Sequence, residues 1–393
     1  MTQLSFLASN QVPAKGPRRD CLSIRLFCQA TINAIALLVG VGCHQASNDV
    51  PAAPPPPPAT GKEATLDSTA PVGSTSTEPL SYIVSDVISQ FGCCDGSASV
   101  ALDEDHFLVA NDEDSVLRIY RRRDSSRPVH QTNLRKFLDL KKKNDESDIE
   151  GMTVVGSTVF AIASHSRSKD GDKRKGRRQL FALNVEIEST GTTLHPLGKP
   201  YTKLLKDLEE SPKFQDLDFE SAARLSSEEA GGINIEGLTS TPEGSLLIGF
   251  RTPIHRGGTL LIEIKNPKDI VRGAKPIFGA ARRLSLGTMG IRAIERVNND
   301  YLLATETNSG KRYPQLFQWN GSDSRPRRVF VSLPKSLNPE SILIFPDTGL
   351  TEIHILSDDG NETLGKEPCS KIDDETKQRF RRLVLKRQGA SQR

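Results

Sequence analysis

An excess of charge of either sign is missing from the body of this chain. The 393 residues carry a formal net charge of +3, and residues 1–43 supply all of it, with Lys15, Arg18, Arg19 and Arg25 against Asp20. Residues 44–393 are therefore formally neutral, which removes the electrostatic footprint of a nucleic-acid-binding protein. Helical periodicity is equally scarce and is confined to "YTKLLKDLEESPKFQDLDFESAARLSSEEA". No C-x-x-C or Cys/His spacing points to structural zinc. No G-x-S-x-G elbow marks a nucleophilic serine, and "ANDEDSVLRIY" lacks the register of a calcium loop. With 36% hydrophobic and 26% charged residues the composition suits a soluble body, and the length suffices for one large all-β domain or two smaller ones.

The first segment reads as an export signal. A basic region ending at Arg25 leads into "LFCQATINAIALLVGVGC", an apolar run short and weakly flanked for a membrane span, with ordinary signal cleavage or a retained anchor as the alternatives to the lipoprotein reading that follows. Gly40 and Gly42 precede Cys43, a pattern similar to a bacterial lipoprotein signal, in which Cys43 is lipidated; Gly40 stands where an aliphatic residue is usual. Residues 44–79 are rich in Pro, Ser, Thr and Ala and are expected to be a disordered linker with a stiff polyproline segment. The folded domain is expected over residues 80–393. This organisation predicts an exported protein of the bacterial cell envelope, anchored to a membrane by its lipid and monomeric. Of the six cysteines, Cys93, Cys94 and Cys369 fall in the domain. Export favours a disulfide of either Cys93 or Cys94 with Cys369, leaving one thiol over; the alternative is three reduced, buried thiols.

Short apolar runs recur through the body, among them "HFLVAN", "TVFAIAS", "SLLIGF", "TLLIEI", "YLLATE" and "EIHIL". Their four to eight residues, with turn residues between, read as strands. They are grouped: "DIEGMTVVGSTVFAIASHSR" at 148–167 is echoed by "NIEGLTSTPEGSLLIGFR" at 234–251, and related units begin near Asp95, at "GIRAIE" and at "NPESILIF". A repeated antiparallel unit of this size predicts an all-β chain forming a single β-propeller of five or six four-stranded blades, with a small helical insertion near 202–230.

Residues repeated at equivalent places are the natural site candidates. Glu150, Glu236, Glu295 and Glu340 open the first strand of their units and are expected to approach the central channel. There they lock neighbouring backbones, pair with protein cations, or hold a hard cation such as Ca²⁺. Arg167, Arg251, Arg256 and Arg292 are expected to gather at one mouth and receive a small anionic ligand or an envelope protein. His165 and His255 are the candidate acid or base groups. A phosphoester or ester hydrolase, perhaps using Ca²⁺, and a structural envelope module are the rival readings.

The "DIEGM…ASHSR", "NIEGL…GFRTPIHRGG" and "GIRAIE" motifs, the opening "CDGSASVALDEDHFLVANDEDSVLRIYRR" and the ending "FRRLVLKR" resemble the bacterial family called domain of unknown function 3616, over roughly residues 85–388. That resemblance implies a propeller-like fold and no established activity. A more distant likeness to esterase-like phytase propellers implies phosphoester chemistry at most.

Overall fold

The computed structural model describes residues 79–389 except 125–126, 143–144, 189–190, 228, 230 and 308–313. The export segment, Cys43 and the 44–79 linker (bar residue 79) lie outside the described residues. Among the described residues no helix is long and apolar enough to cross a membrane.

Twenty strands form five four-stranded antiparallel blades of a β-propeller. Blades 1 to 4 follow chain order, with inner strands Ala98–Ala101, Ile149–Val155, Asn234–Ser240 and Met289–Val297. Blade 5 takes its inner strand from Pro339–Leu343, its next two from Glu352–Ser357 and Arg379–Arg387, and its outer strand from Tyr82–Phe91 at the start of the domain. The earliest strand thus completes the last blade. Each inner strand touches the next, and that of blade 5 touches that of blade 1, so the ring closes.

Apolar runs are continuous because both faces of a blade are buried. Neighbouring residues such as Phe107 and Leu108, or Leu302 and Leu303, point to opposite faces and enter different interblade clusters. One cluster fills each interface: Leu108 with Phe181 between blades 1 and 2, Phe160 with Phe250 between 2 and 3, Leu261 with Trp319 between 3 and 4. Leu316 meets Ile353 between blades 4 and 5, and Phe107 meets Phe380 where 5 meets 1. Each such side chain contributes about 2 kcal/mol by leaving water.

The Glu-Gly echo has a packing cause. A Cβ on Gly151 would lie 2.7 Å from Leu238 Cβ of the next blade, and one on Gly237 would lie 2.9 Å from the Cγ2 atoms of Ile291 and Ile294. Inner strands converge towards the axis, and glycine lets them approach.

The helical insertion lies between blades 2 and 3: Leu204–Glu210, a 3₁₀ turn Pro212–Leu217 and Phe219–Ala222. Its Leu204, Leu208, Phe214 and Phe219 join the cluster between those blades. Asp218 caps the last helix by accepting from the Ser221 N–H.

Cys94 pairs with Cys369, with Cα atoms 5.7 Å apart. Cys93 is a buried free thiol whose pKa is pushed up to about 11 by burial. The bridge joins the chain just after the outer strand of blade 5 to the loop between that blade's second and third strands. It closes a span of 275 residues, so Cys369→Ser is expected to lower the unfolding free energy by roughly 3–5 kcal/mol, read as a lower urea midpoint. An unchanged midpoint under non-reducing conditions would show that the bridge does not hold the ring closed.

Candidate functional site

The inner strands of blades 2 to 5 share a defect at the same level. In the ladder to the second strand each inner strand skips one of its residues, Glu150, Glu236, Arg292 or Glu340, and in blade 3 the second strand also skips Arg251. A skipped residue in an antiparallel pair is a β-bulge, which re-aims its side chain, and all four inner-strand residues line one cavity at the axis. Each blade adds a further residue from its second strand, as with Arg251 and Glu306, or from just after it, as with Asp112, Ser166 and Asp358. Ser227 and Glu229, just beyond the insertion, complete the rim. The result is a cup of about 540 Å³. Beneath it, between Ser99, Met152, Leu238, Ile294 and Ser341, the channel narrows to about 10 Å³, room for about one water. The Ser99 and Ser341 hydroxyls are 2.6 Å apart across that floor.

The cup lining has eight carboxylates and three arginines, with no aromatic side chain among the described residues. One side of it is neutralised. Arg292, 6% exposed, pairs with Glu236 at 2.9 Å, with Glu306 at 3.7 Å, and with Glu340. Arg251 pairs with Glu236 at 2.9 Å and Glu306 at 3.8 Å. Asn234 donates to Glu236 at 2.8 Å and Asn338 to Glu340 at 3.3 Å, so each glutamate is met by the asparagine two residues before it. Both glutamates bond to side chains, and the backbone lock expected of them is made by other groups: the Ser97 hydroxyl donates to Ile149 O at 2.8 Å and Ile235 N–H to Ser164 O at 2.9 Å.

The other side is not neutralised. Arg177 is engaged by Glu146 and, at 3.2 Å, by Asp148, whose pKa burial still pushes up to about 7. Glu150 makes no hydrogen bond or close ion pair among the described residues, and burial followed by the Glu236 charge holds it well above the carboxylate range. Asp112 is pushed up to about 6, chiefly by burial, against a hydrogen bond with Asp95. Asp95, 3% exposed, is pushed well up by burial and then by Asp112 and Asp358. Asp358 is held by Asn338 Nδ2 and Gly360 N–H, both at 2.8 Å. Among the described residues no three His, Cys, Asp or Glu side chains already surround one metal position.

The other sequence candidates lie elsewhere. In blade 4 Arg292, not Glu295, holds the bulge that Glu150, Glu236 and Glu340 hold in theirs; Glu295 sits three residues on, lining the narrow channel below. The cause is that the unit aligns on "IRA" with "IEG", not on "AIE". Arg167 donates to Ala223 O at 2.8 Å and Gly171 O at 2.9 Å, tying a blade 2 loop to the insertion. His165 is buried with φ of 57°, and its Nδ1–H donates to Ala163 O at 2.7 Å. Burial, with Arg178 nearby, pushes its pKa down to about 4. His255 and exposed Arg256 sit in a turn closed by the Gly258 N–H to His255 O bond of 3.0 Å. None of these four lines the cup. Reading the sequence missed Asp95, Asp112, Asp148, Arg177, Glu306 and Asp358; the signal available was the place of Asp112, Glu306 and Asp358 at or just after the end of their second strands and of Asp148 two residues before the bulged Glu150, while Asp95 and Arg177 carried none.

A family model described as "Protein of unknown function (DUF3616)" matches residues 96–190 and 196–345. No curated protein matches the chain. Among solved structures, glutaminyl cyclase of Myxococcus xanthus is 12% identical with a TM-score of 0.40, covering 79% of this chain and 99% of its own. A putative oxidoreductase (glucose dehydrogenase) of Thermus thermophilus is 12% identical with a TM-score of 0.37, covering 76% and 99%. Likeness at this level carries no argument about activity.

Glu295 offers a pH test of the channel. It keeps some exposed surface but is closely enclosed, and burial, only partly offset by Arg296, pushes it up to about 8. The unfolded chain loses this proton near pH 4.5, so the native state holds the extra proton and stability falls as pH rises from there to about 8. Glu295→Gln is neutral throughout. Its urea midpoint relative to the parent is expected to rise between pH 5 and pH 8; a difference independent of pH would contradict the enclosure of Glu295.

Proposed function

Because the chain belongs to that family, whose description supplies no activity, we propose from the site itself that the protein is a binding module whose cup receives a positively charged group of a small ligand. One observation carries this reading: the cup has eight carboxylates to three arginines, and the arginines are already engaged by carboxylates of the same chain. The anionic ligand expected from Arg251 and Arg292 is set aside, because an anion would have to displace Glu236 from both. A floored cup of about 540 Å³ fits a small molecule better than a protein surface. Binding is preferred to hydrolysis because neither His165 nor His255 lines it.

Export, lipid attachment at Cys43, an envelope location and a monomeric state are part of the same proposal. The Cys94–Cys369 disulfide supports an oxidising compartment. Fractionation of cells expressing the chain is expected to place it with membranes and to release it on Cys43→Ser; no change would remove the anchor.

Thermal-shift measurements on the full chain test the cup. Spermidine, agmatine and CaCl₂ are expected to include at least one compound that raises Tm in a saturable way, while phosphate and citrate do not. A rise with the anions alone would reverse the proposed charge preference.

A further inference from the structure

We propose that Asp112, Glu150 and Asp358 in the wall of the cup, with the buried Asp95 beside them, form a binding site for one hard divalent cation where blades 1, 2 and 5 meet. The inference rests on the reading of the cup as cation-accepting and narrows it to a place and a chemical class. Asp95 points to a missing partner. It is 3% exposed, and among the described residues no N–H or alcohol donor reaches either of its carboxylate oxygens; its one hydrogen-bond partner is the carboxyl group of Asp112, and the carboxyl groups of Asp358 and Glu150 are its further neighbours. Burying an ionised carboxylate with only other carboxylates for company costs several kcal/mol, so this group needs a proton or a cation.

Among the described residues no arginine or lysine pairs closely with these acids. Arg177 is spent on Glu146 and Asp148, and Arg251 and Arg292 on Glu236, Glu306 and Glu340. Other forces hold the acids together. Asp95 follows Cys94 of the disulfide and forms a β-bridge with Asp358, while Asp359 N–H donates to Cys94 O at 2.9 Å. Ring closure thus brings the segment entering blade 1 against the loop of blade 5, whatever charge the side chains carry.

Donor chemistry selects the ion. The wall offers oxygen atoms and no thiolate, imidazole or aromatic face, which suits Ca²⁺ or Mg²⁺ over zinc, copper or a quaternary ammonium. Asp358 is pre-oriented by Asn338 and Gly360. Because no three acids already surround a single point, water must complete the shell, and the flexible six- to eight-fold coordination of Ca²⁺ tolerates that better than the strict octahedron of Mg²⁺.

The test uses the full chain, stripped with a chelator and dialysed, titrated calorimetrically with CaCl₂ and with MgCl₂. The expected result is one saturable Ca²⁺ per chain, bound at least tenfold more tightly than Mg²⁺. Asp112→Asn and Asp358→Asn should each weaken it at least tenfold, with Asp216→Asn on the exposed insertion as the unaffected control. Wild-type titration decides the matter even where a variant fails to fold. Absence of saturable divalent binding, or binding unchanged in both variants, overturns the site. If an organic amine raises Tm while no divalent ion binds, this inference falls and the cation-accepting cup stands; if no cation of any kind binds, both fall.

Discussion

Five inner strands drawn round one axis cannot aim acidic bulges at the same point without a cation among them. Arg292 is that cation. Its guanidinium, 6% exposed, meets Glu236, Glu306 and Glu340 from blades 3, 4 and 5, and it stands in blade 4 at the bulge where blades 2, 3 and 5 carry glutamate. A planar fork spreads five donors over three nitrogens and reaches carboxylates on several sides, where a lysine has three donors on one nitrogen. Apolar clusters between the blades supply most of the drive to close the ring, but they say nothing about what the axis tolerates.

Neutralisation is one-sided, and that asymmetry is where function enters. Blades 3 to 5 settle their acids with Arg251 and Arg292. Blades 1 and 2, with the loop of blade 5, leave Asp95, Asp112, Glu150 and Asp358 without a close ion pair among the described residues, and Glu150 feels Arg292 only at longer range. Stability alone would favour removing such a group, since uncompensated buried acids are costly. Such acids shed the cost by holding a proton, which their raised pKa values express, or by binding a cation from solution as proposed above.

Much of this was legible in the sequence, and the limits have physical causes. Strands such as "SLLIGF" and "YLLATE" announced themselves because both blade faces are buried, and the Glu-Gly echo marked the strands that crowd the axis. Arg292 was recognised as a cation but not as the counterpart of Glu150, because "GIRAIE" offers a glutamate three residues on that fits the repeat by residue type. Only the skipped pairing of the ladder shows which residue the bulge presents. The acidic cluster was invisible for another reason. Asp95, Asp112 and Asp358 lie outside the regular strands, far apart in sequence, and they meet only when the first strand of the domain completes the last blade. Cys94 and not Cys93 as the partner of Cys369 likewise depends on which of two adjacent side chains faces the closing loop.

Arg292 holds the acidic axis together through charge. The measurement that reaches it most directly is equilibrium unfolding of Arg292→Met beside the same substitution combined with Glu236→Gln and Glu340→Gln. Removing one partner of a buried ion pair leaves the other charged and unpaired, so the single variant is predicted to lose about 3–5 kcal/mol. Neutralising the two glutamates in the same chain should return most of that loss. Losses that simply add, or an Arg292→Met chain as stable as the parent, would contradict the account.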